Sequence, residues 1–296
     1  MQPKRPSRAA FGAAVHRAIH QELEQGRIFS DPLALRILGA GAEAALRDAR
    51  EDPSRRSLRL FVALRSRIAE DALTASLLSG VQQVVVLGAG LDTFVYRAAL
   101  GENVRLFEVD HPATQAWKRQ RLAEAAIPIP RTLTYVAVDF ERETLAEGLN
   151  AAGFKSSLPT FFTWLGVVPY LTEEAVFSTL GFIADLPGGA YVVFDYGNPP
   201  VPGLQGEGYS TVHANLAERV ASLGETFRSL FETDELHAKL TTLGFHDIED
   251  LGPEWIRKRL VADSSGPLPE RGGHILLAAA GPCERIPPAP ECRERR

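Results

Sequence analysis

The chain has 296 residues, a formal net charge of -5, 45% apolar residues and 23% charged residues. That length and composition suit a globular protein with a sizeable core. The acidic balance argues against a nucleic-acid binder, which carries a basic stripe. No apolar run approaches the roughly 18–20 residues of a membrane span, and the basic N-terminus has no apolar stretch behind it, so neither a span nor a secretory signal is expected. The only cysteines are Cys283 and Cys292. They make no disulfide framework and no metal-ligand spacing, which fits a reducing, cytoplasmic compartment and no metal site.

Residues 1–80 read as helical. Ala10 to Ile19 is Ala-rich, and Ser30-Asp31-Pro32 has the form of a helix start with Pro in the first turn. Leu58, Phe61, Val62, Leu64, Ile68, Leu73 and Leu77 recur at helical spacing as far as Gly80. Strands and helices then alternate. Strands are predicted at Val84–Leu87, Val104–Val109, Thr134–Val138, Thr160–Thr163 and Tyr191–Asp195, with helices over Pro112–Ala126 and Glu173–Asp185. This rhythm implies a doubly wound parallel α/β sheet with helices on both faces. After the helix Asp234–Leu243, the strands Gly244–Leu251 and His274–Ala280 lack a clean crossover between them, so an antiparallel pair should finish the sheet. The expected organisation is a helical cover over 1–80, a core over 81–281 with an insertion at about 197–232, and a disordered Pro/Arg/Glu-rich tail over 282–296.

The most informative stretch is Val84-Val85-Val86-Leu87-Gly88-Ala89-Gly90-Leu91-Asp92-Thr93. A β-branched run that stops at Gly-x-Gly is how a buried strand turns into a nucleotide-binding loop. Gly88 permits the tight turn, and Gly90 lets backbone approach a ligand. A dinucleotide fingerprint needs a third glycine where this chain has Thr93. The loop therefore reads as a site for a nucleoside without a diphosphate, of which S-adenosylmethionine (SAM) is the commonest; the plain alternative is a strand-to-helix turn.

In open α/β sheets, ligands bind beyond the carboxyl ends of the strands. Asp110 lies 20 positions after Gly90. Its two oxygens suit a ribose diol, although an acid ahead of Pro112 also favours a helix N-terminus. Asp139 and Phe140 follow the third strand and suit an adenine amine and ring, or equally a turn and a core aromatic. Trp164 to Tyr170 could line a pocket near the sulfonium, or simply pack.

Leu87-Gly88-Ala89-Gly90-Leu91-Asp92-Thr93, Phe107-Glu108-Val109-Asp110-His111-Pro112 and Val138-Asp139-Phe140 together resemble the leucine carboxyl methyltransferase family, in particular its bacterial SAM-dependent O-methyltransferase branch. Ser30-Asp31-Pro32-Leu33-Ala34 and Trp164-Leu165-Gly166-Val167-Val168-Pro169-Tyr170-Leu171 share its patterns, and the likeness spans roughly residues 10–280. The resemblance implies a Rossmann-like class I methyltransferase fold of seven strands, the last antiparallel, and SAM as methyl donor. It implies SAM contacts from Gly88, Asp110, Asp139 and Phe140, with Gly90 in the same loop. It also implies an arginine for the SAM carboxylate, matching Arg65, with Arg67 as the other register. The chain departs from the family at Leu165, where many members carry an acid near the SAM amino group. A backbone carbonyl, Glu108 or another acid could replace it.

The acceptor region is expected after the fifth strand, from Gly197 through Tyr209, Thr211 and His213. Tyr170 borders it, and His213 is the candidate base, although a histidine satisfied by its own helix is the plainer explanation. His111 reads as structural, and the basic pairs Arg55-Arg56 and Lys118-Arg119 and the run Arg257-Lys258-Arg259 read as solvated helix faces. The expected activity is methyl transfer to a carboxylate or hydroxyl of a small-molecule acceptor, including the chemistry of secondary metabolism. Two rivals stand beside it: a nicotinamide-dependent oxidoreductase, and a SAM-fold protein that binds without catalysis. The acceptor and the oligomeric state are not legible.

Overall fold

The computed structural model describes residues 7–139, 143–200, 226–260 and 271–283. Four helices open the chain: α1 (Arg8–Leu23), α2 (Ala34–Leu38), α3 (Glu43–Glu51) and α4 (Arg56–Leu78). The alternating part runs β1 (Gln83–Leu87), α5 (Phe94–Arg97), β2 (Arg105–Asp110), α6 (Pro112–Glu124), β3 (Leu133–Ala137), α7 (Leu145–Ala151), β4 (Thr160–Trp164), α8 (Glu173–Ala184) and β5 (Ala190–Gly197). It finishes with α9 (Thr233–Leu243), β6 (Phe245–Leu251), α10 (Pro253–Leu260) and β7 (Gly273–Ala280).

The seven strands form one sheet in the order β3-β2-β1-β4-β5-β7-β6. Strands β1 to β5 pair in parallel, while β7 runs antiparallel to both β5 and β6. This is the class I methyltransferase arrangement that the resemblance implies, including the antiparallel finish. The strand order reverses between β1 and β4, which opens a crevice at their carboxyl ends.

Every residue of β1 is buried. Val84 and Val86 face a layer containing Leu64, Ile68 and Leu73 of α4. Val85 and Leu87 face the opposite layer, with Leu149 of α7, Leu180 of α8 and Leu240 of α9. Both faces of the strand are covered, so its run reads as continuous valine rather than alternation. A third cluster joins α1, α2 and α3 to Leu91, Leu122 and Ile127, which seats the N-terminal helices on the end of the sheet where the Gly loop emerges.

Most expected elements appear within two residues of the expected bounds. Three points differ. Helix α2 starts at Ala34, while Asp31 accepts from Leu33 N at 3.0 Å and is itself buried. Helix α7 is an element the periodicity missed, because it is short; Thr144 and Glu147 form a capping box at its start. Helix α10, which carries the run Arg257, Lys258 and Arg259 in its last turn, lies between β6 and β7, where no clean crossover helix was expected. Of the expected insertion, residues 201–225 lie outside the described residues, as do residues 284–296 of the expected tail.

Candidate functional site

At the carboxyl ends of β1 to β4 lies a cavity of about 960 Å³. Its floor is the loop after β1. Gly88 and Gly90 have φ of 61° and 45°, the left-handed region that favours glycine. A Cβ on Gly88 would strike the Val167 side chain, and one on Gly90 would come within 2.9 Å of the Ala10 Cβ on α1. The loop thus fits tightly beneath both the β4 turn and the first helix, and neither glycine tolerates a side chain.

Asp110, the last residue of β2, is fixed by two backbone donors. Its Oδ2 accepts from Gly90 N at 2.5 Å and its Oδ1 from His111 N at 2.7 Å. Burial raises its pKa above the ordinary carboxylate range, opposed by these two hydrogen bonds. Each oxygen keeps a further lone pair for a ligand. His111 has the structural role expected of it, since its Nδ1 accepts from Ala113 N at 3.2 Å and caps α6. Its Nε2 lies 3.9 Å from Oδ2 of Asp139, which follows β3 and also lines the cavity.

Arg65 approaches from α4 and is buried. Its Nη1 donates to Asp195 Oδ2 at 2.8 Å, while its Nε is buried with no partner among the described residues. Arg67, the other register, points away to an i,i+4 pair with Asp71 and does not line the cavity. Leu165 lines the cavity and packs beside the α4 layer, so no acid replaces it in place. Glu108 does not move in either: its carboxylate accepts from Lys118 Nζ at 2.6 Å and from the Tyr96 hydroxyl at 2.7 Å, below the loop.

Arg65, Gly88, Gly90, Asp110, Asp139 and Tyr170 therefore converge on one cavity. Phe140, Tyr209, Thr211 and His213 lie outside the described residues. Tyr170 stands at the α8 side of the cavity, its ring centroid 5.5 Å from that of Phe227.

The sequence reading of Lys118 as part of a solvated face is wrong. Lys118 is 1% exposed and pairs with Glu108, 2% exposed. Burial raises the Glu108 pKa, against the pull of Lys118. Gln115, Lys118 and Leu122 share the buried face of α6, so the helical spacing to Leu122 was the available signal. Two further residues were missed. Arg17 on α1 donates to the Leu91 carbonyl at 2.6 Å and to Asp31 at 3.3 Å, holding the loop from outside. Asp195 backs Arg65; its signal was one acid within the otherwise apolar strand Ala-Tyr-Val-Val-Phe-Asp-Tyr-Gly.

A fixed carboxylate, a tight glycine cradle and a buried guanidinium are thus gathered around one cavity. Among the described residues no group of three or more His, Cys, Asp or Glu is placed to hold a metal ion.

A family model for leucine carboxyl methyltransferase matches residues 10–184. YktD of Bacillus subtilis, named as an S-adenosyl-L-methionine-dependent methyltransferase, is 36% identical over 192 residues, covering 64% of this chain and 62% of that protein. SCO7813 of Streptomyces coelicolor, similarly named, is 39% identical over 185 residues, covering 60% of this chain and 63% of that one. The matches thus span less than two thirds of these relatives' own lengths. Among solved structures, a protein from Thermobifida fusca named as a methyltransferase superposes with a TM-score of 0.53 at 15% identity, covering 94% of this chain and 96% of that one. That likeness shows the fold alone. The match over residues 10–184 takes in the Gly loop, Asp110, Asp139 and Arg65, and the chain belongs to the leucine carboxyl methyltransferase family.

Proposed function

We propose that this chain is a SAM-dependent O-methyltransferase, acting on a carboxylate or hydroxyl of a small-molecule acceptor in the cytoplasm, with secondary metabolism as a natural setting. One observation carries the proposal: Gly88, Gly90, Asp110, Asp139 and Arg65 meet in a single cavity at the switch point of the sheet. Asp110 accepts from the ribose hydroxyls, its carboxylate already aimed by Gly90 N and His111 N. Asp139 accepts from the adenine amine, with Phe140 against the ring. Arg65 holds the amino-acid carboxylate through a charge-assisted pair.

Bound SAM supplies a methyl group on a sulfonium that is already activated for displacement. The protein's own residues align the acceptor and exclude water. Tyr170 borders the acceptor. An acceptor carboxylate is ionised at neutral pH and needs no base, whereas a hydroxyl gains from one, for which His213 is the candidate.

Thr93 disfavours the nicotinamide alternative. It is fully buried and its hydroxyl is bonded to Asp31 at 2.7 Å, at the position where a dinucleotide loop needs glycine. Calorimetric titration tests the assignment: S-adenosylhomocysteine should bind in the micromolar range, about -8 kcal/mol, and NAD should not bind. Methyl transfer to an acceptor panel then separates an enzyme from a binding protein. Binding of NAD without S-adenosylhomocysteine would remove the proposal.

A further inference from the structure

The absent acid at Leu165 leaves open how the amino-acid end of the site is organised. A second charged group is present, set one layer back. Asp195 is the sixth residue of β5 and is 4% exposed. Its two oxygens serve two different elements. Oδ2 accepts from Arg65 Nη1 at 2.8 Å, and Oδ1 accepts from Gly166 N at 2.6 Å. The first contact reaches the N-terminal helix α4, and the second pins the turn that leaves β4.

Geometry around the guanidinium makes this more than an ion pair. A guanidinium offers a carboxylate two forks, one from its two terminal nitrogens and one from Nε with its neighbouring Nη2. Asp195 takes Nη1, and Arg65 and Gly166, the two groups its carboxylate holds, both line the cavity. Gly166 makes the room. Its φ is 72°, and a Cβ there would come within 2.6 Å of Arg65 Nη2. The same carboxylate that holds the guanidinium also holds the glycine that lets the guanidinium pack there.

We infer that Asp195 is a positioning residue for the amino-acid end of the cofactor: it fixes the Arg65 guanidinium and the path of the Gly166 turn, so that Arg65 is held at the cavity wall where the ligand carboxylate would meet it. It acts through Arg65 and does not line the cavity itself. The inference rests on the proposed SAM site.

The test uses two ligands that differ only where Asp195 acts. S-adenosylhomocysteine carries the amino-acid end; 5′-methylthioadenosine keeps the adenosine and thioether but lacks the amino and carboxyl groups. Both are titrated calorimetrically into the wild-type chain and Asp195→Asn. The amide keeps the shape of the side chain but has one acceptor oxygen for two donors. Asp195→Asn should weaken S-adenosylhomocysteine by about tenfold or more, the scale for hydrogen bonds to a charged group. Affinity for 5′-methylthioadenosine should stay within about twofold.

In an Arg65→Met background the further Asp195→Asn change should have little effect on S-adenosylhomocysteine, because the group through which it acts is gone. If Asp195→Asn does not fold, Asp195→Glu keeps the charge but displaces the carboxylate by one methylene, and should show the same split between the two ligands. Unchanged S-adenosylhomocysteine affinity in either variant overturns the inference, as does an equal loss of both ligands. A wild-type chain that binds neither ligand removes the proposed function, and this inference with it.

Discussion

The Asp31 carboxylate accepts from the Thr93 hydroxyl at 2.7 Å, joining residues 62 positions apart in the chain. Asp31 precedes α2, and Thr93 ends the Gly loop. The same carboxylate accepts from Arg17 on α1 at 3.3 Å and lies 3.7 Å from Arg97. One buried acid therefore ties the N-terminal helices to the loop that forms the cavity floor. Asp31→Ala leaves Arg17 and Arg97 without this counter-charge, and should destabilise the fold by about 3–5 kcal/mol. Thr93→Val removes the bond to Asp31 and the 3.3 Å bond that the hydroxyl accepts from Arg97 Nε, and should cost about 1–3 kcal/mol. Urea denaturation monitored by circular dichroism measures both, and an Asp31→Ala variant as stable as wild type would remove Asp31 from this role.

The Lys118–Glu108 pair sits beneath the same loop, with Lys118 Nζ also 3.4 Å from the Ala89 carbonyl. Lys118→Met strands a buried Glu108 and should cost about 3–5 kcal/mol. Lys118→Met/Glu108→Met removes both charges and should recover most of that loss, since a buried pair contributes little net stability over apolar residues. Urea midpoints of the wild type, the single variant and the double variant decide. A double variant no more stable than the single one would mean that the side chains act separately.

Much of the architecture was legible because the physics is local. Val84-Val85-Val86-Leu87 before Gly-x-Gly announces a buried parallel strand and its ligand loop. The antiparallel finish was read from the lack of a clean crossover helix between the last two strands, although a short helix, α10, does lie between them. That Asp110 and Asp139 would line one cavity was legible because both close strands at the carboxyl end of the sheet. What the sequence hid are pairings between distant elements. Lys118 beside Arg119 reads as a polar surface until Glu108 on another element neutralises it. Asp195 reads as a strand terminus until α4 delivers Arg65, 130 positions away. Such partners have no signature in local spacing.

As the proposed ribose acceptor, Asp110 predicts a pH dependence with a definite sign, because the ionised carboxylate is the form that accepts through both oxygens. Burial raises the Asp110 pKa, so on acidification this carboxylate takes up its proton before an ordinary aspartate does. Affinity for S-adenosylhomocysteine should therefore be full at neutral pH and fall as pH drops through that raised value, above the range where an exposed aspartate titrates. Asp110→Ala should weaken binding by about 1.5–3 kcal/mol at pH 7 and flatten the acid limb. Titrations across the acid range test both; an equally steep limb in folded Asp110→Ala would assign it to another group.

Asp250 has the opposite shift. Burial alone would raise its pKa, but hydrogen bonds from His274 at 2.7 Å, Tyr196 at 2.6 Å and His237 at 2.8 Å bring it below the ordinary value. A depressed carboxylate contributes stability that is present above its unfolded pKa and is lost as pH falls through its folded pKa. This network ties β5, β6, β7 and α9 at the far edge of the sheet. Asp250→Asn should cost about 1.5–3 kcal/mol at neutral pH. The gap to wild type should narrow as pH falls through the depressed value. Denaturation series at neutral and strongly acid pH measure the difference, and a gap independent of pH would argue against an ionised Asp250.

The acceptor end of the cavity is the place to separate binding from chemistry. Tyr170 lines the cavity with Thr172 and with Arg228, whose backbone N donates to the Pro169 carbonyl at 2.7 Å. Tyr170→Ala should leave S-adenosylhomocysteine affinity within about twofold and raise the acceptor KM by about tenfold, because uniform ground-state binding is what a lining aromatic supplies. His213→Ala reports the acceptor's chemistry. With a carboxylate acceptor the oxygen is already ionised, and kcat should hardly change. With a hydroxyl acceptor, loss of a base should lower kcat by about 100-fold or more at unchanged cofactor affinity. A pH profile separates these cases: the wild-type rate with a hydroxyl acceptor should fall as the base protonates, and His213→Ala should lose that limb. A rate insensitive to both Tyr170→Ala and His213→Ala would place the acceptor elsewhere in the cavity.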